Sequence, residues 1–189
     1  VLEPLYDYHS ALIYEFIGDI ENAHISYKNI IKRSNNANAH VYSRAAIFFA
    51  NNNLQDLYTE TLNKLETIDP YSNELLILKK NENYANKTKI TNIKQGISEV
   101  FLNSAEILFN EGLDRQALIY AQISSYLEPK SDSANYLLGR IFKSINNNER
   151  AIKYFKKVNE YSLVIHDANI AYAETLYDIE GLSNSKEFL

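Results

Sequence analysis

The stretch LLGRIFKSINNNERAIKYF, from Leu137 to Phe155, places a glycine inside an apparent helix. A glycine within a helix costs about 1 kcal/mol relative to alanine, so Gly139 needs a structural reason. Ala151 follows it by 12 residues, Phe155 by 16 and Val158 by 19. These positions fall on the apolar faces of two helical segments, which the polar turn INNNE separates. The stretch therefore predicts a helix pair that packs closely at Gly139, near Ala151.

The same spacing recurs along the chain at intervals of about 34 residues. In four other segments the position of Gly139 is occupied by alanine: Ala11, Ala46, Ala105 and Ala173. The matching positions of the second helix carry mostly small or apolar side chains: Ala23, Tyr27 and Ile30; Tyr58, Leu62 and Leu65; Ala117, Ala121 and Ser124. A fixed period of this length indicates a repeat array. A generic helical bundle is the alternative, but a bundle does not require a small residue at this interval.

These residue types and their spacing resemble the tetratricopeptide repeat (TPR) family, whose units are helix–turn–helix pairs of 34 residues. The resemblance implies an all-α fold, an α-α superhelix (a TPR-like solenoid) of stacked antiparallel helix pairs. The units begin near Pro4, Ala39, Ser98, Asp132 and His166. The stretches YHSALIYEFIGD, from Tyr8, and ALIYAQISSYLEP, from Ala117, also resemble multi-repeat TPR proteins of alphaproteobacteria.

We expect four segments along the chain. They are two TPR-like repeats at 4–72, an irregular helix with a basic connection at 73–97, two clear repeats at 98–165, and a truncated repeat at 166–189. The sequence NELLILKKNE predicts a short helix at the start of the second segment. The basic residues between 79 and 94 form either a docking patch for an acidic partner or anionic lipid, or a solvated loop. The truncated repeat predicts an exposed apolar edge at Leu176 and Ile179, which is covered either within the intact protein or by a second copy of the chain.

The composition argues against several functional classes. The chain has 189 residues, a net charge of −5 and no cysteine. Disulfides and thiol catalysis are therefore excluded, and nucleic-acid binding is not expected from an acidic chain. No apolar run reaches the roughly 18–20 residues of a membrane-spanning helix.

The sequence also lacks the common catalytic motifs. It contains no glycine-rich phosphate loop, nucleophile elbow or His-Glu-x-x-His motif. We therefore expect no enzymatic activity, no cofactor and no metal. The chain begins at Val1 without a signal peptide, so we expect a fragment of a protein from either the cytoplasm or the periplasm.

In the resembled family, the A helices line a concave groove that binds a peptide or a helix of another protein. Counting along each A helix places twelve residues on that face: Leu102, Glu106, Phe109 and Asn110; Tyr136, Arg140, Lys143 and Ser144; Ile170, Glu174, Tyr177 and Asp178. The period of 34 residues predicts two rows of neighbours. One row is an ion ladder of Glu106, Arg140 and Glu174, and the other is a cation–π stack of Phe109, Lys143 and Tyr177.

We therefore expect a non-catalytic scaffold for protein–protein interaction. Two alternatives stay open: a receptor for a peptide or small ligand inside the superhelix, and an architectural subunit of a bacterial envelope or secretion assembly. Some TPR proteins hold a peptide's terminal carboxylate with a Lys–Asn–Arg clamp. That clamp is not expected here, because Tyr8 and Leu12 occupy the positions of its lysine and asparagine.

Overall fold

The fold is given by a computed structural model, which describes residues 3–33, 38–80 and 90–180. These residues form ten α-helices and no β-strand. The helices are α1 (Glu3–Ile17), α2 (Ile20–Arg33), α3 (Ala39–Asn51), α4 (Gln55–Ile68), α5 (Asn73–Lys80), α6 (Ile93–Asn110), α7 (Asp114–Leu127), α8 (Asp132–Ser144), α9 (Asn148–Phe155) and α10 (Ile165–Glu180). The predicted all-α class, built from consecutive helix pairs, is confirmed.

In four of the helix pairs, the turn between the two helices contains a residue in the left-handed backbone conformation. The φ angle is +78° at Gly18, +56° at Asn53, +75° at Gly112 and +59° at Asn146. Glycine and asparagine adopt this conformation at low cost, and they commonly end helices. Asn146 of the predicted turn INNNE therefore has a direct backbone role.

The first compact unit spans Val1–Gly96. Within it α1 packs on α2, and α3 packs on α4. A buried polar group joins three of these helices: Glu15 pairs with Arg44 of α3 and accepts a hydrogen bond from the Tyr27 hydroxyl of α2 at 2.9 Å. The charge of Glu15 is thus neutralised inside the unit.

The short helix α5 is held to its neighbours by side-chain hydrogen bonds. Tyr58 stands where other units carry a small residue, and its hydroxyl donates to the carbonyl of Leu78 at 2.5 Å. Ser43 of α3 donates to the buried carboxylate of Glu74. The predicted short helix is confirmed over α5; Lys87 and Lys89 of the basic segment lie outside the described residues.

The second compact unit spans Ile97–Leu189 and begins one residue before the predicted unit start at Ser98. The Ser98 hydroxyl lies 2.9 Å from the hydroxyl of Ser124, which joins α6 to α7. Helix α7 packs on α8, α8 on α9 and α9 on α10. The buried core includes small residues at the predicted repeat positions: Ala105, Ala117, Ala121 and Ala151.

The close approach at Gly139 involves a different residue from the one predicted. A Cβ atom built on Gly139 would lie 2.3 Å from Cε1 and 2.4 Å from Cδ1 of Phe155. Phe155 lies one helical turn beyond Ala151 on α9. The glycine therefore makes room for an aromatic ring where α8 packs on α9.

The end of the second unit agrees with the sequence in part. The predicted final A helix is α10, and Ile179 is exposed as expected. The expectation for Leu176 is wrong, because its side chain is buried in the core of the unit. In the described ranges, no helix has both the length and the apolar character to cross a membrane.

Candidate functional site

A groove of about 690 Å³ opens in the second unit between residues of α6, α8 and α10. Its lining contains eight residues of the predicted face and four others: Phe109, Tyr136, Arg140, Lys143, Ser144, Asn146, Asn148, Asp167, Ile170, Ala171, Glu174 and Asp178. The volume falls within the roughly 300–1,000 Å³ of ligand-binding clefts. Most of the residues predicted from the period are thus brought together in one place.

Four of the predicted residues are not part of this lining. Leu102 is fully buried in the core, so its side chain is unavailable to a partner, and its assignment to the groove is corrected. Glu106 is half-buried in the middle of α6, and Asn110 is exposed at its end. Tyr177 is exposed on α10 and lies outside the lining.

At one side of the groove, Arg140 stacks on two aromatic rings. Its Cζ atom lies 4.9 Å from the ring centroid of Phe109 and 5.6 Å from that of Tyr136. Guanidinium groups stack on aromatic faces because they are planar and weakly hydrated. The flat faces of the guanidinium contact the two rings, and its N–H groups, which lie in the guanidinium plane, stay available as donors.

Lys143 forms an ion pair one turn further along α8. Its Nζ donates to Oε2 of Glu174 on α10 at 2.7 Å. The predicted rows are therefore wrong: Arg140 takes the aromatic contacts, and Lys143 takes the carboxylate. Phe109 and Arg140 are 31 residues apart in the sequence, and so are Lys143 and Glu174. This separation is three residues, or about one helical turn, shorter than the 34-residue repeat. A side chain of one A helix thus meets the neighbouring A helix one turn away from its sequence equivalent.

The groove carries charges of both signs. Arg140 and Lys143 stand against Asp167, Glu174 and Asp178, which leaves the lining with one more anion than cations. The lining therefore presents both signs of charge, with a small excess of negative charge.

Four lining residues were missed by reasoning from the sequence: Asn146, Asn148, Asp167 and Ala171. The two asparagines belong to the turn INNNE, so counting along helix A could not reach them. In the part of the chain that the structure describes, no group of three His, Asp or Glu side chains could hold a metal ion.

Several solved structures resemble this chain over nearly its whole length at low identity. The crystal structure of MamA protein is 14% identical, with 99% of this chain and 88% of that chain covered and a TM-score of 0.43. PilW, titled a widely conserved type IV pilus biogenesis factor, is 18% identical, with 98% and 90% covered and a TM-score of 0.43. For PilF of Pseudomonas aeruginosa the identity is 17%, the coverage 98% and 96%, and the TM-score 0.35.

The comparison with protein families gives a direct sequence match. No curated protein matches the chain, but the family described as tetratricopeptide repeat matches residues 132–163. The matched range begins at the predicted unit start, Asp132, and contains both Gly139 and Phe155. The predicted family is thereby confirmed for this unit: residues 132–163 form a tetratricopeptide repeat.

Proposed function

We propose that the second unit binds a segment of another protein, a peptide or a helix, in the groove between α6, α8 and α10. Proteins of this family serve as scaffolds for protein–protein interaction. The proposal is supported above all by one observation: three successive A helices supply side chains to a single groove, where a stacked arginine lies beside an ion pair.

The arginine is the first anchor for the partner. Within the described residues the guanidinium of Arg140 is held by ring stacking, and it makes no hydrogen bond. Its donors can therefore meet a main-chain carbonyl or a carboxylate of the partner without breaking an existing bond. Arginine and aromatic residues together are common centres of binding energy at protein interfaces.

The acidic edge of α10 is the second anchor. Glu174 and Asp178 lie one turn apart on the exposed face of this helix, and Glu174 is already paired with Lys143. Asp178 is thus the carboxylate best placed to receive a lysine or arginine from the partner. We expect a bound segment to carry an acceptor opposite Arg140 and a basic residue opposite Asp178.

Selection from a displayed random-peptide library tests this proposal without knowledge of the natural partner. The full chain should enrich a consensus that contains a basic residue. Arg140→Glu and Asp178→Lys should each lose or change that consensus. Arg115→Glu makes the same charge change as Arg140→Glu on the exposed surface of α7, outside the groove, and should keep it. Identical consensus sequences from all four proteins would contradict the proposal.

The two alternatives make different predictions in the same system. A receptor for a small ligand should show a rise in melting temperature with a metabolite, and this rise should disappear in Arg140→Glu. An architectural subunit should hold its partner through larger surfaces, so single substitutions in the groove should leave the complex intact.

A further inference from the structure

Helix α9 and the turn after it concentrate positive charge in an acidic chain. Residues 148–158 include one carboxylate and four cations, Arg150, Lys153, Lys156 and Lys157, whereas the whole chain has a net charge of −5. All four cations are exposed, and none of them lines the groove. We name these four residues the α9 patch. The second unit therefore carries a basic surface that is separate from the groove.

The cations of the α9 patch are not neutralised by carboxylates of the described ranges. Within residues 3–33, 38–80 and 90–180, none of the four forms a salt bridge. By contrast, Arg44, Lys79 and Lys143 are each paired with a glutamate. The charge of the α9 patch is therefore available to an anion that approaches from outside.

A stack of two aromatic rings orders two of these cations. Cζ of Arg150 lies 5.5 Å from the ring centroid of Phe142, and Nζ of Lys157 lies 4.3 Å from that of Tyr154. The two rings stack on each other, with centroids 5.4 Å apart and planes inclined by 13°. Long side chains that are already ordered lose less conformational entropy when they meet a ligand. The stack therefore prepares the α9 patch for binding.

Helix stability accounts for only part of this charge. Lys156 and Lys157 follow the last residue of α9, where a cation is favourable beside the negative end of the helix dipole. Arg150 lies in the first turn of α9, where the same dipole disfavours a cation. Its side chain is also exposed, so packing of the repeat does not require it. Binding of an anion gives a cation at this position a role.

The extent of the α9 patch favours a short acidic segment as its occupant. Arg150, Lys153 and Lys157 follow one another at intervals of three and four residues, which places them in one row about 10 Å long. A few residues of an acidic segment match a row of this length. A lipid bilayer or a nucleic-acid duplex presents anions over a far wider area, and the net negative charge of the chain opposes its approach.

We propose that the α9 patch binds an acidic segment of another protein, with carboxylates opposite Arg150, Lys153 and Lys157. Over residues 148–158, which the structure describes in full, no large apolar side chain is exposed. The contact is therefore mainly electrostatic, and its affinity is modest and sensitive to salt. It uses no residue of the groove and does not rest on the peptide binding proposed there.

Fluorescence anisotropy of the full chain with a labelled decaglutamate peptide tests the proposal. The wild type should bind the peptide at low ionic strength, and the affinity should fall steeply between about 50 and 300 mM salt. The patch triple variant should bind at least about fivefold more weakly, because it removes three exposed ion pairs. Its substitutions are Arg150→Gln, Lys153→Gln and Lys157→Gln.

Two further variants separate charge from structure and the α9 patch from the groove. Lys153 is not part of the ring stack, so Lys153→Gln keeps the stack and should weaken binding by about twofold. Arg140→Gln changes a groove residue and should leave the affinity for decaglutamate unchanged. Circular dichroism verifies that every variant keeps its helix content.

A control triple variant has the same net charge as the patch triple variant. It replaces three cations that are exposed and lie outside both the α9 patch and the groove, and it should bind decaglutamate like the wild type. Its substitutions are Lys32→Gln, Lys94→Gln and Arg115→Gln.

Three results would overturn the proposal. The first is a wild type that does not bind decaglutamate at low salt, and the second is equal binding by the two triple variants. The third is a loss of binding in Arg140→Gln, which would place the acidic peptide in the groove. Stronger binding to vesicles of phosphatidylserine and phosphatidylcholine, or to a short DNA duplex, would likewise replace the acidic segment with a membrane or a nucleic acid.

Discussion

In the second unit, the ring of Phe155 occupies the space that a side chain at Gly139 would need. A Cβ atom on Gly139 would lie 2.3 Å from Cε1 of the Phe155 ring, and the ring itself is buried. The same two repeat positions hold Ala105 and Ala121 one unit earlier, where the opposing side chain is small enough for a Cβ atom on both helices. In this unit the glycine makes room for the ring of Phe155.

Gly139→Ala should destabilise the protein by up to about 2 kcal/mol. Overpacking of a dense core typically costs about 1–3 kcal/mol, and the higher helix propensity of alanine offsets about 1 kcal/mol. From the sequence alone, alanine would be expected to be neutral or stabilising, and the position of the ring reverses that expectation. Urea unfolding of both proteins measures the difference.

A double-mutant cycle with Phe155→Ala identifies the ring as the cause. Without the ring, Gly139→Ala should become neutral or stabilising, because only the gain in helix propensity remains. An equal cost of Gly139→Ala in both backgrounds would show that the ring is not responsible.

The sequence predicts the repeat and its helices well, because a small residue every 34 positions and an apolar stripe are local patterns. It could not predict the partners of long side chains. Arg140 and Lys143 lie one turn apart on the same face, and the offset between neighbouring A helices decides which of them meets Phe109 and which meets Glu174. It also could not place Asn146 in the groove, because that position depends on how the turn folds back.

Glu15→Gln should destabilise the first unit strongly. The substitution removes the buried carboxylate that pairs with Arg44, and breaking one side of a buried ion pair costs about 3–5 kcal/mol. Glu66→Gln removes the carboxylate of the exposed pair with Lys79 and should cost less than about 1 kcal/mol. Thermal unfolding of the two variants should therefore differ clearly, and equal melting temperatures would contradict this.

Two glycines should respond to alanine in opposite directions. Gly112 has φ +75° and open space where a Cβ atom would lie, so Gly112→Ala should cost about 1–2 kcal/mol through backbone strain alone. Gly96 lies inside α6, where a Cβ atom would only touch Ile90 at 3.9 Å. Gly96→Ala should therefore stabilise by about 0.5–1 kcal/mol. If denaturant unfolding shows that both substitutions lower the free energy of unfolding, or that both raise it, these roles of the two glycines are wrong.

His9 should make the first unit sensitive to acid. Burial lowers the pKa of His9, so the folded protein keeps the ring neutral at a pH where the unfolded chain protonates it. Stability is then complete above the ordinary histidine pKa of about 6.5 and falls as the pH drops below that value. His9→Gln should reduce the loss of stability between pH 7 and pH 5. His166→Gln changes an exposed histidine, and an equally large reduction there would contradict the role of His9.

The affinity of a selected peptide for the wild type and for two charge variants tests the central claim most directly. Fluorescence anisotropy with a labelled consensus peptide should give a Kd at least about tenfold weaker for Arg140→Glu, because an interfacial hot-spot residue typically contributes about 2 kcal/mol or more. Arg115→Glu should bind within about twofold of the wild type, since an exposed charge distant from the groove contributes little. Equal affinity for all three proteins would contradict binding in the groove.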